Sequence, residues 1–188
     1  MGMFWGSLLV VFIIMIILGA IGAKEQAERQ AKYKPKLDAY IEENVHVTNV
    51  IRLKTIHRDY SIYVDEPNEK LLYVDMLNCH SREFKFSQIV GYELREDGKS
   101  TNGVGRAVAG GLMFGETGAI VGAVTQKETV ENVFAVLYLD NLAEPEWIIK
   151  LNEIKIKKNS SEYRQLINFS NQLSSTVKLI ISRKEKKG

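Results

Sequence analysis

The chain has 188 residues, a net charge of +2, 45% hydrophobic and 26% charged residues. That length allows one domain of about 150 residues plus an appendage, and the composition excludes a disordered or fibrous chain. The single cysteine, Cys79, excludes an internal disulfide framework and fits a reducing compartment.

Charge is segregated along the chain. Residues 24–36 carry five basic and two acidic side chains, 37–149 ten and eighteen, and 150–187 ten and three. An acidic middle argues against a nucleic-acid partner, because phosphates would be repelled there.

From Phe4 to Ala23 no residue is charged. As a helix rising about 1.5 Å per residue, this run matches the roughly 30 Å of a bilayer core. The expectation is a transmembrane anchor over residues 1–23, marked by Phe4, Trp5, Leu8, Phe12, Ile16 and Ala23. No basic residue precedes the run, and Lys24, Arg29, Lys32, Lys34 and Lys36 follow it. The retention of basic flanks in the cytoplasm then predicts a single-pass cell-membrane protein, N-terminus out, with a cytoplasmic soluble domain.

Residues 24–44 read as a polar, basic stalk, helical or extended, interrupted by Pro35. Strand signals follow at Val45 to Lys54, Tyr60 to Asp65, Leu71 to Leu77, Arg82 to Phe86, Ile89 to Arg95, Val130 to Asp140 and Glu146 to Leu151. YSIYVD, EPNEK and LLYVDML together give the clearest hairpin. From Ser160 onward, Tyr163, Leu166, Ile167, Leu173, Val177, Ile180 and Ile181 recur at helical spacing, with Asn159 or Ser160 as N-cap.

About seven short strands and a final amphipathic helix resemble the layout of a pleckstrin-homology-like barrel. IYVDEPNEKLLYV and FKFSQIVGYELREDGKS resemble the early hairpin and mid-domain strand of small bacterial and phage proteins of the bacterial PH-like, or GRAM-like, group. The resemblance covers residues 45–183 and implies a binding platform for lipids, peptides or proteins. The expected fold class is α+β, mainly β: the transmembrane helix, a barrel of about seven antiparallel strands with the C-terminal helix, and a basic tail at 184–188.

Between the strands lies GVGRAVAGGLMFGETGAIVGAVT, similar to a segment of such proteins. Its Gly105, Gly110, Gly111, Gly115, Gly118 and Gly122 have the spacing for close helix packing, and FGET is placed to turn one short helix back on another. A glycine-rich helical-hairpin insertion at 103–125 is therefore expected, packed on the barrel or on a partner copy, so that a homo-oligomer or a protein partner comes into view.

Catalytic signals fail one by one. GKST at 98–101 lacks the phosphate-loop glycine, since Glu93 stands there, and Glu93, Glu96 and Asp97 would repel phosphate. Gly103, Gly105 and Gly110 miss the dinucleotide fingerprint, with Val108 at the third glycine position. His46, His57 and His80 are dispersed, so no metal is expected and no cofactor either. The chain reads as non-enzymatic.

Anionic lipid head groups are the expected partner of the basic residues: Lys24, Arg29, Lys32, Lys34 and Lys36 after the anchor, and Arg183, Lys184, Lys186 and Lys187 in the tail. The leading expectation is thus a membrane-anchored binding or assembly platform facing the cytoplasmic leaflet. The alternative is a membrane-active effector, such as a phage-encoded envelope-modifying factor, whose glycine-rich segment inserts or oligomerises in the bilayer.

Overall fold

The computed structural model describes residues 3–100 and 128–187, with side chains described for 20–100 and 128–186. Gly105, Gly110, Gly111, Gly115, Gly118 and Gly122 lie outside the described residues, as do the side chains of Phe4, Trp5, Leu8, Phe12 and Ile16.

A long helix α1, Met3–Asn44, opens the chain. Four strands follow, β1 (Asn49–Lys54), β2 (Asp59–Asp65), β3 (Lys70–Asp75) and β4 (His80–Lys85), joined in that order as an antiparallel sheet. After a 3-10 turn at Phe86–Gln88 come β5 (Ile89–Glu96) and the short β6 (Lys99–Ser100). Beyond the undescribed segment lie β7 (Thr129–Val130), β8 (Val133–Leu139), β9 (Glu146–Lys150) and β10 (Ile156–Lys157), then helix α2, Ser161–Lys187. The second sheet runs β6-β5-β8-β9, and β10 pairs with β7.

Turn chemistry fixes the first sheet's register. Asp65 accepts from the backbone and side-chain nitrogens of Asn68 at 3.0 and 2.9 Å, and Asp75 repeats this with Asn78 at 3.1 and 2.7 Å. In each loop the residue after the asparagine, Glu69 or Cys79, takes a positive φ of 52° or 51°. Each four-residue loop thus closes back into pairing, Asp65 with Lys70 and Asp75 with His80. At β5–β6 the two-residue Asp97-Gly98 turn needs positive φ at both positions, 47° and 77°.

Alternation along the strands sends Ile51, Leu53, Tyr60, Ile62, Val64, Leu71, Tyr73 and Phe84 inward, where they meet Leu94, Ala135, Leu137 and Ile149 of the second sheet. Trp147 packs edge-on to Tyr73, ring centroids 4.5 Å apart. α2 plugs this core with Tyr163, Leu166, Phe169, Leu173, Val177, Ile180 and Ile181, all buried. Its start is capped as expected at Ser160, whose hydroxyl accepts from the Tyr163 N–H at 3.1 Å. Inside, Tyr92 and Ser170 share a 2.5 Å hydrogen bond, and the buried Glu96 accepts from Tyr163 and Lys158.

The transmembrane part of the expected fold is corrected. Among the described residues no helix is long and apolar enough to cross a membrane, which overturns the expectation of an anchor at 1–23 and of a single-pass protein with N-terminus out and a cytoplasmic domain. Helix α1 does not stop at Ala23. It continues to Asn44, and Ala23, Lys24, Arg29, Lys32, Lys34 and Lys36 on its described part are exposed. Such charge density belongs in water.

That described part is also more than a spacer. Leu37 is buried, and with Tyr33, Ile41 and Val45 it packs on Leu72, Val74, Tyr63 and Met76, on the side of the first sheet away from the core. The helix passes through Pro35 without ending, although proline cannot donate to the preceding turn.

Candidate functional site

The β1–β2 loop is a tight turn built on Thr55. Its N–H donates to the Arg58 carbonyl at 2.8 Å, and its hydroxyl accepts from the N–H groups of His57 and Arg58. This arrangement presents Ile56 outward, 91% exposed. An isolated exposed apolar side chain is ordinary, but a tip held this rigidly by its neighbours is not a floppy one.

Arg58 explains the rigidity. It is buried, lies over the Tyr60 ring at 5.6 Å and pairs with Glu153. The Tyr60 hydroxyl donates to the Lys150 carbonyl at 2.9 Å, and burial pushes its pKa up to about 12, with the nearby Arg58 charge opposing. The β1–β2 loop is thereby joined to the segment after β9. There Asn152 accepts from the Val133 N–H and donates to the carbonyls of Glu131 and Ile154. The segment presents a second exposed isoleucine, Ile154, beside Lys155.

The β3–β4 turn belongs to the same end of the molecule, because the Met76 N–H donates to the Asp59 carbonyl at 2.9 Å. Residues 22–29 of α1 reach that turn. Gln26 donates to the Leu77 carbonyl at 3.4 Å, and a cavity of about 270 Å³ lies between Gln26, Arg29 and Cys79. Lys24, Arg29 and Lys32 therefore stand near the end that carries Ile56, while Lys34 pairs with Asp38 one turn on.

The basic residues of α2 stand elsewhere. Arg183 donates to Glu66 at 2.6 Å and Lys184 to the Ser87 carbonyl at 2.8 Å, both at the β2–β3 turn end. Lys186 is exposed nearby in sequence, and the Lys187 side chain lies outside the described residues. The six residues of β3 separate the two ends by roughly 17–20 Å. The two basic sets expected to share one lipid-facing surface are thus not brought together.

A polar cluster that the sequence reading missed lies on the outer face of the second sheet. Arg95 makes two bonds to Glu146 at 3.0 and 3.1 Å, one to Glu93 at 2.7 Å and one to Tyr138 at 2.8 Å. Those bonds, the Glu146 pair first, raise the Arg95 pKa. Burial pushes the Glu93 carboxyl up, but hydrogen bonds from Tyr138, Ser100 and Arg95 outweigh it and hold the group below its ordinary range. Only the i, i+2 spacing of Glu93 and Arg95 hinted at it; the partners come from β8 and β9. With its hydrogen-bonding groups spent on one another, the cluster ties three strands together. Its Gly91 sits where an added Cβ would lie 3.1 Å from Tyr138.

Of the GKST run, Gly98 follows Asp97 in a two-residue turn and Lys99–Ser100 form β6, with Thr101 outside the described residues; the Asp97 carboxylate accepts from the N–H groups of Glu131 and Asn132 at 2.9 Å. Among the described residues no His, Cys, Asp and Glu group has the makings of a metal site.

Two four-stranded antiparallel sheets share a core with the C-terminal helix, and comparison with known proteins agrees with that layout. The family model of the glycine-zipper-containing PH domain matches residues 49–153. The chain belongs to this family. The match opens at β1 and closes just past β9, so the loops carrying Ile56 and the Lys150–Glu153 stretch are inside the PH domain, while α1 and α2 lie outside the matched residues. No curated protein and no solved structure matches the chain. A PH-like domain carries a binding or assembly role, with lipids and proteins as the partners in question.

Proposed function

We propose that this PH domain is a non-enzymatic binding platform whose β1–β2 loop end rests on anionic lipid head groups. The observation that carries the reading is Ile56, 91% exposed on a turn locked by Thr55, Arg58 and Glu153. An apolar tip on a fixed support can enter the head-group region without an ordering cost.

Charge supports the same end. Arg52 and Lys54 on β1, Lys155 beside Ile154, and Lys24 and Arg29 on α1 are all exposed. Basic residues near an anionic surface contribute about 1 kcal/mol each. The acids at this end include Asp59, Glu131 and Glu153, with Glu25 and Glu28 on α1; Asp59 and Glu131 lie 3.9 Å from Lys54 and 3.5 Å from Lys155, contacts that water screens readily.

Sedimentation of the full chain with anionic and with neutral vesicles tests this. The difference between the two cancels any contribution from uncharged sequence elsewhere. Binding preferring anionic vesicles, and falling about tenfold in Ile56→Asp, is expected; equal binding to both vesicle types, or no response to Ile56→Asp, contradicts the reading.

A further inference from the structure

Among the described strands, β4 pairs with β3 alone and is an edge of the first sheet. Two hydrogen bonds show which of its residues face away from β3. The Phe86 N–H donates to the Glu69 carbonyl at 2.7 Å, toward β3, whereas the Lys85 N–H, one residue earlier, donates to the Gln88 side chain at 3.0 Å. Backbone N–H and C=O groups alternate sides along a strand, so those of Ser81 and Glu83 point out of the sheet as that of Lys85 does. Both residues are exposed. Such an edge is a template for another extended chain.

At its Lys85 end the edge runs into two cavities. One, of about 400 Å³, is lined by Lys70, Glu83, Lys85 and Gln88, and the other, of about 310 Å³, by Phe86, Ile180, Arg183 and Lys184. Glu69 and Ser87 line both, so the two form one trough. Its second half has an apolar floor, because Ile180 belongs to the core and Phe86 packs against it. Four basic and three acidic side chains surround the trough. Arg183 holds Glu66 at 2.6 Å and Lys70 holds Glu83 at 3.2 Å. Lys184 donates to a neutral carbonyl, that of Ser87, and neither Lys184 nor Lys85 meets a carboxylate among the described residues. An excess of one positive charge suits a single carboxylate better than a doubly charged phosphate.

We propose that β4 and this trough take the C-terminal end of a partner protein. Its last residues extend along Ser81 and Glu83, its final apolar side chain enters the cavity over Phe86 and Ile180, and its terminal carboxylate sits between Lys85 and Lys184. Main-chain bonds along the edge are common to any extended chain, whereas the apolar floor and the two cations select its end. The site lies at the opposite end of β3 from Ile56, so it stands or falls independently of lipid contact there.

The full chain, immobilised, is tested with a pool of short random peptides carrying free C-termini and with the same pool amidated, and the retained peptides are sequenced by mass spectrometry. The free-carboxylate pool is expected to be retained, enriched in apolar last residues, and the amidated pool to pass through. Lys85→Gln together with Lys184→Gln is expected to weaken the retained peptides about tenfold. Octanoate, which has the carboxylate and an apolar chain but no peptide N–H, is expected not to displace them. Equal retention of both pools, retention of neither, binding indifferent to the two lysines, or displacement by octanoate overturns the proposal.

Discussion

The two long helices of this protein differ in how far they follow what their sequences advertise. α1 has 42 residues, and among its described side chains, 20–44, one is buried, Leu37. α2 has 27 residues and a basic end, yet seven of its apolar residues close the barrel. For α2, periodicity matched to a waiting surface is what sets its place in the fold.

The contrast is easiest to break at α2. Phe169→Ala removes a ring that is 1% exposed and is expected to cost about 3–5 kcal/mol in chemical denaturation. Leu37→Ala on α1 is expected to cost about 2 kcal/mol or less, at the low end for a buried leucine, since its site is a shallow groove. Hydrogen exchange sharpens the difference: the α1 amides of 24–44 lose protection in Leu37→Ala while those of β2 and β3 keep theirs.

Smaller effects lie at helix and hairpin ends. Ser160→Ala removes the α2 cap and is expected to cost about 1 kcal/mol. Gly98→Ala, at φ 77°, is expected to cost about 1–2 kcal/mol through backbone strain, with open space around the new methyl.

The smallest predicted effect is on acid stability. Burial alone would raise the Asp65 pKa, but hydrogen bonds from Asn68 and His46 and the Lys70 charge hold it below its ordinary value. A carboxyl lowered on folding adds stability above its unfolded pKa, and that stability is lost as pH falls through the folded value. Melting temperature measured downward from pH 6 is expected to decline less in Asp65→Asn than in the parent chain.

Much of the PH domain was legible in the sequence because its signals are local. YSIYVD and LLYVDML alternate with period two around a turn, and Ser160 precedes an apolar stripe at helical spacing; the structure places β2, β3 and α2 there. The two-residue strands β6, β7 and β10 are too short for any period to appear.

The binding end was less legible for a different reason. Ile56 and Ile154 are nearly a hundred residues apart, and the Arg58–Glu153 pair and the Tyr60–Lys150 bond bring their loops together. The anchor reading failed because a helix's membrane role was judged from one half of it, whereas the other half, Lys24 to Asn44, is charged and docks on the sheet. Basic residues at both termini looked like one surface in the sequence, and β3 holds them at opposite ends.

That separation gives the most direct test of the functional claim. Vesicle binding is measured for two charge-removed forms of the full chain, one with Lys24, Arg29, Lys54 and Lys155 changed to Gln, the other with Arg183 and Lys184 changed to Gln. The first is predicted to lose most of the preference for anionic vesicles and the second to keep it. Loss in the second with retention in the first would place the lipid contact at the α2 end and contradict the account.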